Sequence, residues 1–249
     1  MPRYFIEVAY TGTGFGGFQK QENTNTIQGE IEKALSTYFR EQFELTGSSR
    51  TDAGVNALQN YFHFDSEHFD NKKIKSALYN LNSILPLPIV VKNIWAMPEG
   101  AHCRFDAISR TYEYIICQVK DPYVSDRSYF YPYELDQELL NLAAAEIIKN
   151  KSFEAFSKKN TQVQTFMCSI SESQWVFKEG LLIYRVTANR FLRGMVKGLV
   201  GTMLKVGRNK IDIAAFKSIL GSAEQSLVDF SVPSHALTLL FVKYNYNFQ

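Results

Sequence analysis

The order of the predicted strands and helices constrains the fold of this chain more than any other feature of its sequence. One helical segment of the first half is TIQGEIEKALSTYF, where Ile27, Ile31 and Leu35 recur at helical spacing behind Thr26, a typical N-cap residue. A second helical segment is NKKIKSALYNLNSIL. Apolar and aromatic residues favour strands in RYFIEVAY, FELTG, NYFHFDS and PIVVKNIWAM. The predicted order is β-α-β-β-α-β.

The second half repeats this order. Strands are predicted in SRTYEYIICQ, MCSISESQWVF, LLIYRVTANRF and LLFVKYNYNF. Helices are predicted in QELLNLAAAEIIKN, in FLRGMVKGLVGTMLKVG, which ends at Gly207, and in a short extra segment, DIAAFKSILG. This order is that of the split β-α-β, or ferredoxin-like, unit. The sequence therefore predicts an α+β fold of two ferredoxin-like (RRM-like) halves.

The two predicted halves meet near the segment EGAHCRFDA. We therefore predict an N-terminal half over residues 1–104 and a C-terminal half over residues 105–249. No linker rich in proline or serine separates them. Two such halves can join their sheets edge to edge, which removes two exposed strand edges. We expect a shared mixed, mainly antiparallel sheet with helices on one face and a central cleft.

Composition limits the classes of partner. The 249 residues carry 27 basic and 25 acidic side chains, a net charge of +2, so a polyanion would have to meet a local concentration of basic residues. Three cysteines, an odd number without close pairing, argue against a disulfide framework. The N-terminal segment lacks the pattern of a signal peptide, and lysines interrupt the longest apolar run. We expect a cytoplasmic protein without a membrane segment.

Two patterns suggest ligands that we do not expect. GTGFGG matches G-x-G-x-x-G, but a dinucleotide site needs a helix to begin there, and the predicted helix begins about ten residues later. We interpret the motif as a glycine-rich loop. The four histidines and three cysteines lack the spacing of metal ligands, so no metal site is predicted.

The segment GSSRTDAGVNA contains one carboxylate, Asp52, two residues after Arg50. An aspartate before Ala-Gly is common in turns, so a structural role is one alternative. The other is a reactive carboxylate, which Arg50 would orient through a charge-assisted bond if the segment is extended. The residues alone leave both alternatives open.

The same segment resembles the G-R-T-D-A-G-V-H-A signature of the tRNA pseudouridine synthase A family. Four further blocks match in the family's order. YTGTGFGGFQKQ resembles Y-D-G-T-x-Y-x-G-W-Q-x-Q, and TIQGEIEKAL resembles T-V-Q-x-x-L-E-x-A-L. AHCRFDAISRTYEYII resembles H-A-R-F-S-A-x-x-R-x-Y-x-Y, and NRFLRGMVKGLVGTMLKVG resembles N-x-F-L-x-x-M-V-R-N-I-V-G-T-L-x-x-V-G. The family's fold, two ferredoxin-like halves with a central cleft, agrees with the predicted element order.

The resemblance implies an isomerase that converts uridine to pseudouridine in the anticodon stem-loop of tRNA, at positions 38 to 40. The bond from uridine N1 to ribose C1′ breaks and the uracil rejoins through C5, so the reaction requires no cofactor and no metal. The family's catalytic aspartate falls on Asp52, which the resemblance implies to be the nucleophile; attack on ribose C1′, attack on the base and a glycal route all stay open. The family also implies a homodimer, with tRNA lying across both subunits.

We assign Arg50, Tyr112, Lys197 and Leu237 to substrate binding, the last three because the resemblance implies it. Tyr112 falls on the first tyrosine of the Y-x-Y pair, where the ring stacks on the target uracil. Alternation places it on one strand face with Arg110 and Tyr114, so a core tyrosine is the alternative. Leu237 falls on a family leucine that packs near the target base, and a core leucine is again the alternative.

Basic residues of the second half complete the predicted site. Lys197 falls where the family has a basic side chain beside the catalytic carboxylate. On a helical wheel, Arg190 and Arg193 lie close to Lys197 and opposite the apolar face. The resemblance then implies that they meet RNA phosphates at the cleft. A solvated helix face is the alternative reading.

The chain departs from the family pattern at five positions: Thr11, Phe18, Ser49, Asn56 and Lys197 replace Asp, Trp, Gly, His and Arg. Lysine keeps the positive charge of arginine but loses its fork of donors. The Arg-Thr-Asp core is unchanged, so we expect activity and leave the RNA target open. The alternatives are a non-catalytic RNA-binding protein on the same fold, a synthase acting on a different RNA uridine, and a carboxylate-dependent N-glycosidase that releases uracil.

Overall fold

The computed structural model describes residues 1–67, 74–158 and 163–248. Within these ranges, nine β-strands with mixed pairing and five α-helices make the protein α+β. The chain forms two compact units. Unit 1 consists of Met1–Ile108 and Leu239–Gln249, and unit 2 consists of Ser109–Thr238. The last residues thus group with the first half of the chain, whereas the predicted division counts them with the second.

The strands and helices follow the predicted order. The strands are β1 (Arg3–Tyr10), β2 (Thr46–Gly47), β3 (Asn56–Asp65), β4 (Ile89–Met97), β5 (Ser109–Cys117), β6 (Tyr129–Phe130), β7 (Ile170–Lys178), β8 (Leu181–Ala188) and β9 (Leu237–Lys243). The helices are α1 (Ile27–Phe39), α2 (Ile74–Ile84), α3 (Gln137–Lys149), α4 (Met195–Gly207) and α5 (Ile213–Gly221). The β-α-β-β-α-β order is confirmed in each half. The short strand β6 was not predicted, and the first three residues of the predicted second helix lie outside the described residues.

The central strand of unit 1 is β1. It pairs antiparallel with β3 on one side and with β4 on the other, and β2 pairs with β3. Five consecutive residues of β1, Tyr4–Val8, are buried, as expected of a strand that is covered on both faces. The buried Glu7 carboxylate accepts hydrogen bonds from Gln59 Nε2 and Asn93 Nδ2, both at 3.0 Å, so its burial is compensated.

Helix α1 begins where the sequence predicts. Thr26 has an extended backbone, and its hydroxyl accepts a hydrogen bond from Gly29 N at 3.2 Å, which confirms the N-cap. The buried side chains Ile27, Ile31 and Leu35 follow the predicted apolar stripe. The start and the buried face of helix α1 are therefore both as predicted.

The C-terminal segment corrects the predicted closing strand. The alternation in LLFVKYNYNF predicts a strand to the end of the segment, but β9 ends at Lys243. The aromatic residues beyond it pack on the sheet of unit 1 instead: Tyr61 lies 5.1 Å from Tyr244 and 5.7 Å from Phe248 between ring centroids. An alternation of aromatic residues can thus mark side chains that pack on a sheet as well as a strand.

In unit 2, β8 lies between β5 and β7 in antiparallel pairing, and β6 pairs parallel with β5. Helix α3 is tied to β7 by Asn141, whose amide bonds both the N–H and the carbonyl of Trp175, at 2.9 and 3.1 Å. Helix α4 is buried at every residue except Lys197 and Lys205. It is therefore a core helix, with Lys197 one of two positions that reach the surface.

The start of α4 corrects a prediction. The pattern in FLRGMVKGLVGTMLKVG predicts helix from Phe191, but the helix begins at Met195. Gly194, the N-cap, has φ +73°, a left-handed conformation that interrupts a helix and that glycine adopts without strain. Arg190 and Arg193 therefore lie in the loop that precedes the helix, and the helical wheel that grouped them with Lys197 is wrong.

Candidate active site

Asp52 lies in a tight turn between β2 and β3. The carbonyl of Asp52 accepts a hydrogen bond from Val55 N at 3.1 Å, and Gly54 between them has φ +79°. The segment before the turn is held to β3, because Ser48 N donates to Tyr61 O at 2.8 Å. The turn that the sequence predicts is therefore present. Its presence is compatible both with a structural aspartate and with a reactive carboxylate on a rigid turn.

The glycine-rich loop packs against this turn. A Cβ added to Gly12 would lie 2.2 Å from Val55 O, and one added to Gly17 would lie 3.2 Å from Thr51 O. The loop is also bonded to the turn: Phe18 N donates to Thr51 O at 3.1 Å. The glycines of GTGFGG thus allow two backbone segments to approach each other, and the loop does not open a helix.

One of the departures from the family pattern belongs to this contact. Asn56 Oδ1 accepts a hydrogen bond from Gly12 N at 2.9 Å in a buried position. The asparagine that stands where the family has histidine therefore anchors the glycine loop to the start of β3. Asn56 therefore has a structural role in supporting the turn.

A buried polar network lies beneath the turn. Asn60 Nδ2 donates to Ser49 O at 2.8 Å and to Tyr10 Oη at 3.1 Å. Tyr10 Oη lies 2.8 Å from Thr51 Oγ1, the neighbour of Asp52. Burial raises the pKa of Tyr10 to about 12, so the phenol stays protonated and can donate to Thr51. These bonds fix the backbone on which Asp52 is mounted.

Asp52 itself is half-buried, and Arg50 is exposed. A carboxylate on a turn with fixed backbone, still partly open to solvent, has the geometry that a nucleophile requires. Arg50 lines a pocket of about 230 Å³ together with His102, Arg104 and Phe105. Unit 1 therefore presents a carboxylate and basic side chains on neighbouring backbone.

Tyr112 lies on β5 in unit 2, opposite Val186 of β8. Its side chain is buried, with 8% exposed, and its ring meets that of Phe191 edge to face at 5.1 Å between centroids. Arg110 and Tyr114 are also buried, and alternation along β5 places them on the same face as Tyr112. Phe191 thus orients a tyrosine that is nearly covered by the protein.

The loop that carries the two arginines is fixed at its start. Arg110 Nη1 donates to Asn189 O at 2.8 Å, and Asn189 Oδ1 accepts from Arg190 N at 2.9 Å. Arg190 is half-buried, and Arg193 is exposed.

Burial raises the pKa of the nearby Cys168 thiol to about 11, so this thiol is unreactive at neutral pH.

Lys197 and Leu237 are linked through the segment that precedes β9. Lys197 Nζ donates to Ser234 Oγ at 3.1 Å, and Leu237 N donates to Ser234 O at 3.0 Å. Close packing supports the same segment, because a Cβ on Gly201 would lie 2.2 Å from Asp229 O. Lys197 is half-buried and Leu237 is 6% exposed. Unit 2 thus places these two residues on one connected piece of structure.

Sequence reasoning missed the support of the Asp52 turn. Tyr10, Asn60 and the packing role of Gly12 and Gly17 were not predicted. The motif GTGFGG is recognisable in the sequence, but it is far from Asp52 and does not indicate which segment it packs against. In the described part of the chain, no group of three His, Cys, Asp or Glu side chains is arranged to hold a metal, and no helix has the length and apolarity to span a membrane.

Comparison with known proteins defines the class. The family model described as tRNA pseudouridine synthase matches residues 6–106 and 143–245. The chain is 38% identical over 244 residues to the tRNA pseudouridine synthase A of Azobacteroides pseudotrichonymphae, covering 98% of this chain and 97% of that one. It is 39% identical to that of Porphyromonas gingivalis, covering 98% of each chain. It is 34% identical to that of Staphylococcus aureus strain JH1, covering 95% of this chain and 89% of that one.

The chain belongs to the tRNA pseudouridine synthase family. It is therefore an isomerase that forms pseudouridine in tRNA. Among solved structures, one described as a chlorite dismutase aligns with a TM-score of 0.22 and 13% identity, covering 88% of this chain and 100% of that one, a likeness that carries no argument.

Proposed function

We propose that the enzyme converts uridine to pseudouridine at positions 38 to 40 of the tRNA anticodon stem-loop, with Asp52 as the nucleophile. The observation that carries this proposal is the mounting of Asp52. Its turn is fixed by the glycine loop and by the Tyr10–Asn60 network, while the residue itself stays partly exposed. A nucleophile that must meet one carbon atom needs both a fixed backbone and access from solvent.

The reaction is balanced without any added reagent. The bond from N1 to C1′ breaks, the uracil turns, and a bond from C5 to C1′ forms. C5 gives up its proton and N1 takes one up, so nothing is oxidised or reduced. Asp52 assists as the nucleophile and is released again when the new bond forms.

The proposal gives each residue of unit 2 a role. Tyr112 stacks on the target uracil, since its ring is oriented by Phe191 and a base taken out of its stack needs a new partner. Lys197 supplies positive charge to the reaction, and Leu237 packs near the base. Arg190 and Arg193 bind RNA phosphates from the loop that precedes α4.

The finer fold assignment belongs to the same proposal. We assign a ferredoxin-like topology to each half, because β1 lies between β3 and β4 with β2 beyond β3, and β5 and β7 flank β8 in the second half. The predicted halves over residues 1–104 and 105–249 are retained as the functional division. We also propose a cytoplasmic homodimer, the form that the resemblance implies.

The test is direct. Purified protein is incubated with unmodified tRNA, pseudouridine is mapped by carbodiimide modification and primer extension, and released uracil is measured in the same samples. We expect pseudouridine at positions 38 to 40 and no free uracil. Pseudouridine elsewhere would contradict the position, free uracil would favour the N-glycosidase, and RNA binding without either product would favour the non-catalytic alternative.

A further inference from the structure

The turn over residues 102–106 in unit 1 is unusually well fixed for a surface segment. Asp106 Oδ2 accepts hydrogen bonds from His102 N and from Tyr246 Oη, both at 2.6 Å. His102 Nδ1 accepts from the backbone N–H groups of Arg104 and Phe105, at 3.2 and 3.3 Å. Asp106 N donates in turn to His102 O at 3.0 Å. The turn therefore holds its own backbone, independently of what its side chains contact.

The side chains that this turn presents are an aromatic ring and a guanidinium. Phe105 is 74% exposed, and its ring lies 4.2 Å from the His102 ring, between centroids, at an angle of 33°. The Arg104 guanidinium carbon lies 5.8 Å from the centre of the Phe105 ring. Phe105 thus lies between an imidazole and a guanidinium and is still largely in solvent, where it can contact a flat partner.

Histidine 102 contributes as a neutral ring. Burial lowers its pKa below the ordinary value, although the nearby Asp106 opposes this. Since Nδ1 accepts two N–H groups, the proton of the neutral ring lies on Nε2. The support under Phe105 is therefore an uncharged ring at neutral pH.

These side chains line the pocket of about 230 Å³ that also contains Arg50, Gln19 and Phe18. The described residues that line it include two arginines and no carboxylate. Its volume is below the roughly 300–1,000 Å³ typical of sites that enclose a whole small molecule. The pocket suits one part of a larger polyanionic ligand, such as a single nucleotide of a chain.

We propose that the Arg50–Phe105 pocket, lined by Arg50, His102, Arg104 and Phe105, binds one unpaired nucleotide of the substrate RNA that flanks the target uridine. The base stacks on Phe105, and Arg50 and Arg104 hold the adjoining phosphates. Aromatic rings interleaved with basic side chains bind single-stranded RNA in this manner. The proposal rests on the proposed function, because Arg50 lies two residues before Asp52.

Gln28 does not read the base in this pocket. Its Nε2 donates to Glu32 Oε1 and Leu45 O, both at 2.8 Å, and its Oε1 accepts from Lys20 N at 3.1 Å. Its amide is thus committed to structure. Binding by stacking and phosphate contact tolerates any base, so we expect little sequence preference at this nucleotide.

The experiment measures binding of a fluorescein-labelled RNA stem-loop with the sequence of the unmodified anticodon arm. Phe105→Ala should raise the dissociation constant about 5- to 150-fold, which corresponds to the loss of roughly 1–3 kcal/mol for one stacked base. Phe105→Tyr keeps a ring and should stay within about threefold of the parent. Tyr79→Ala is the matched control, since Tyr79 is 76% exposed on α2 in the same unit.

The phosphate contact has its own readout. Arg104→Gln should reduce the slope of log affinity against log salt by about 0.7, the value for one phosphate of a single strand. Arg40→Gln, at the exposed end of α1, should leave the slope unchanged. A fully paired RNA duplex should bind the parent and Phe105→Ala equally, because it offers no unpaired base.

Two outcomes would overturn the inference: Phe105→Ala binding the stem-loop as tightly as Tyr79→Ala, or losing affinity for the duplex by the same factor. Far-ultraviolet circular dichroism and thermal unfolding of each variant establish that it folds. Failure of the proposed function is separate, since it would show as absent pseudouridine in the parent while the binding differences persist.

Discussion

The substitution Gly12→Ala tests whether the glycine loop holds the Asp52 turn in place. Gly12 is not among the residues with positive φ, so alanine is compatible with its backbone. The added methyl, however, would lie 2.2 Å from Val55 O, where ordinary contact begins at 3.4 Å, so the two segments must separate by about 1.2 Å, the difference. The neighbouring atom is backbone, which cannot rotate away.

The expected cost has two parts. Forcing a methyl group into a packed contact typically destabilises a protein by about 1–3 kcal/mol. A catalytic group displaced by about 1 Å can lose about 100-fold in rate. We therefore expect the rate of pseudouridine formation at saturating tRNA to fall about 100-fold while the protein stays folded.

The assay combines single-turnover pseudouridine formation with urea unfolding. Gly221→Ala is the matched control, because nothing lies within 4 Å of a Cβ at that helical position. It should keep full activity and gain about 0.5–1 kcal/mol in the free energy of unfolding. If Gly12→Ala were as active and as stable as the parent, the loop would not position the turn, and this account of the site would be refuted.

Three further predictions follow from the contacts of single residues. Burial lowers the pKa of His63 to about 4, whereas the pKa of an unfolded histidine is about 6.5. The neutral ring therefore contributes to the free energy of unfolding above pH 6.5, and this contribution is lost as the pH falls towards 4. Its size is on the order of 2 kcal/mol after solvent screening. His63→Gln should remove that part of the pH slope in urea titrations, and an unchanged slope would contradict it. Tyr112→Phe should keep kcat/KM within about threefold of the parent, while Tyr112→Ala should lower kcat/KM about 5- to 100-fold. Equal kcat/KM values for the two variants would exclude stacking. Lys197→Met should lower kcat about 10- to 100-fold while Lys197→Arg retains most of it, and a fully active Met variant would remove Lys197 from the site.

Local signals predicted most of the regular structure. Strand β1 and helices α1, α3 and α5 lie where periodicity placed them, and Thr26 caps α1 as its residue type predicts. Such features depend on residues within one turn or one strand of each other. They are therefore readable from sequence without knowing what the element packs against.

The start of α4 shows where this reasoning fails. The apolar spacing continues through Leu192 into the helix, so periodicity extends the helix too far. The left-handed Gly194 delays the start of the helix to Met195, and the bond from Arg110 to Asn189 holds the loop before it. A contact between residues 79 positions apart leaves no trace in a local pattern.

The candidate site divides in the same way. The signature around Asp52 was recognisable because its residues are contiguous. The packing of Gly12 and Gly17 on the turn and the bond from Asn60 to Tyr10 join distant segments, so only the structure places them together. The sequence thus pointed to Asp52 as a candidate, and the structure shows the contacts that fix the turn on which it lies.

The most direct test of the central claim is single-turnover pseudouridine formation by the Asp52→Asn variant. The amide keeps the size of the side chain and removes its nucleophilic charge. We predict that the rate falls by at least about 10⁴-fold, as when other enzymes lose a nucleophile, with tRNA binding retained. Asp126→Asn, which changes a largely exposed aspartate, should match the parent. An Asp52→Asn variant that formed pseudouridine at the parental rate would contradict the account.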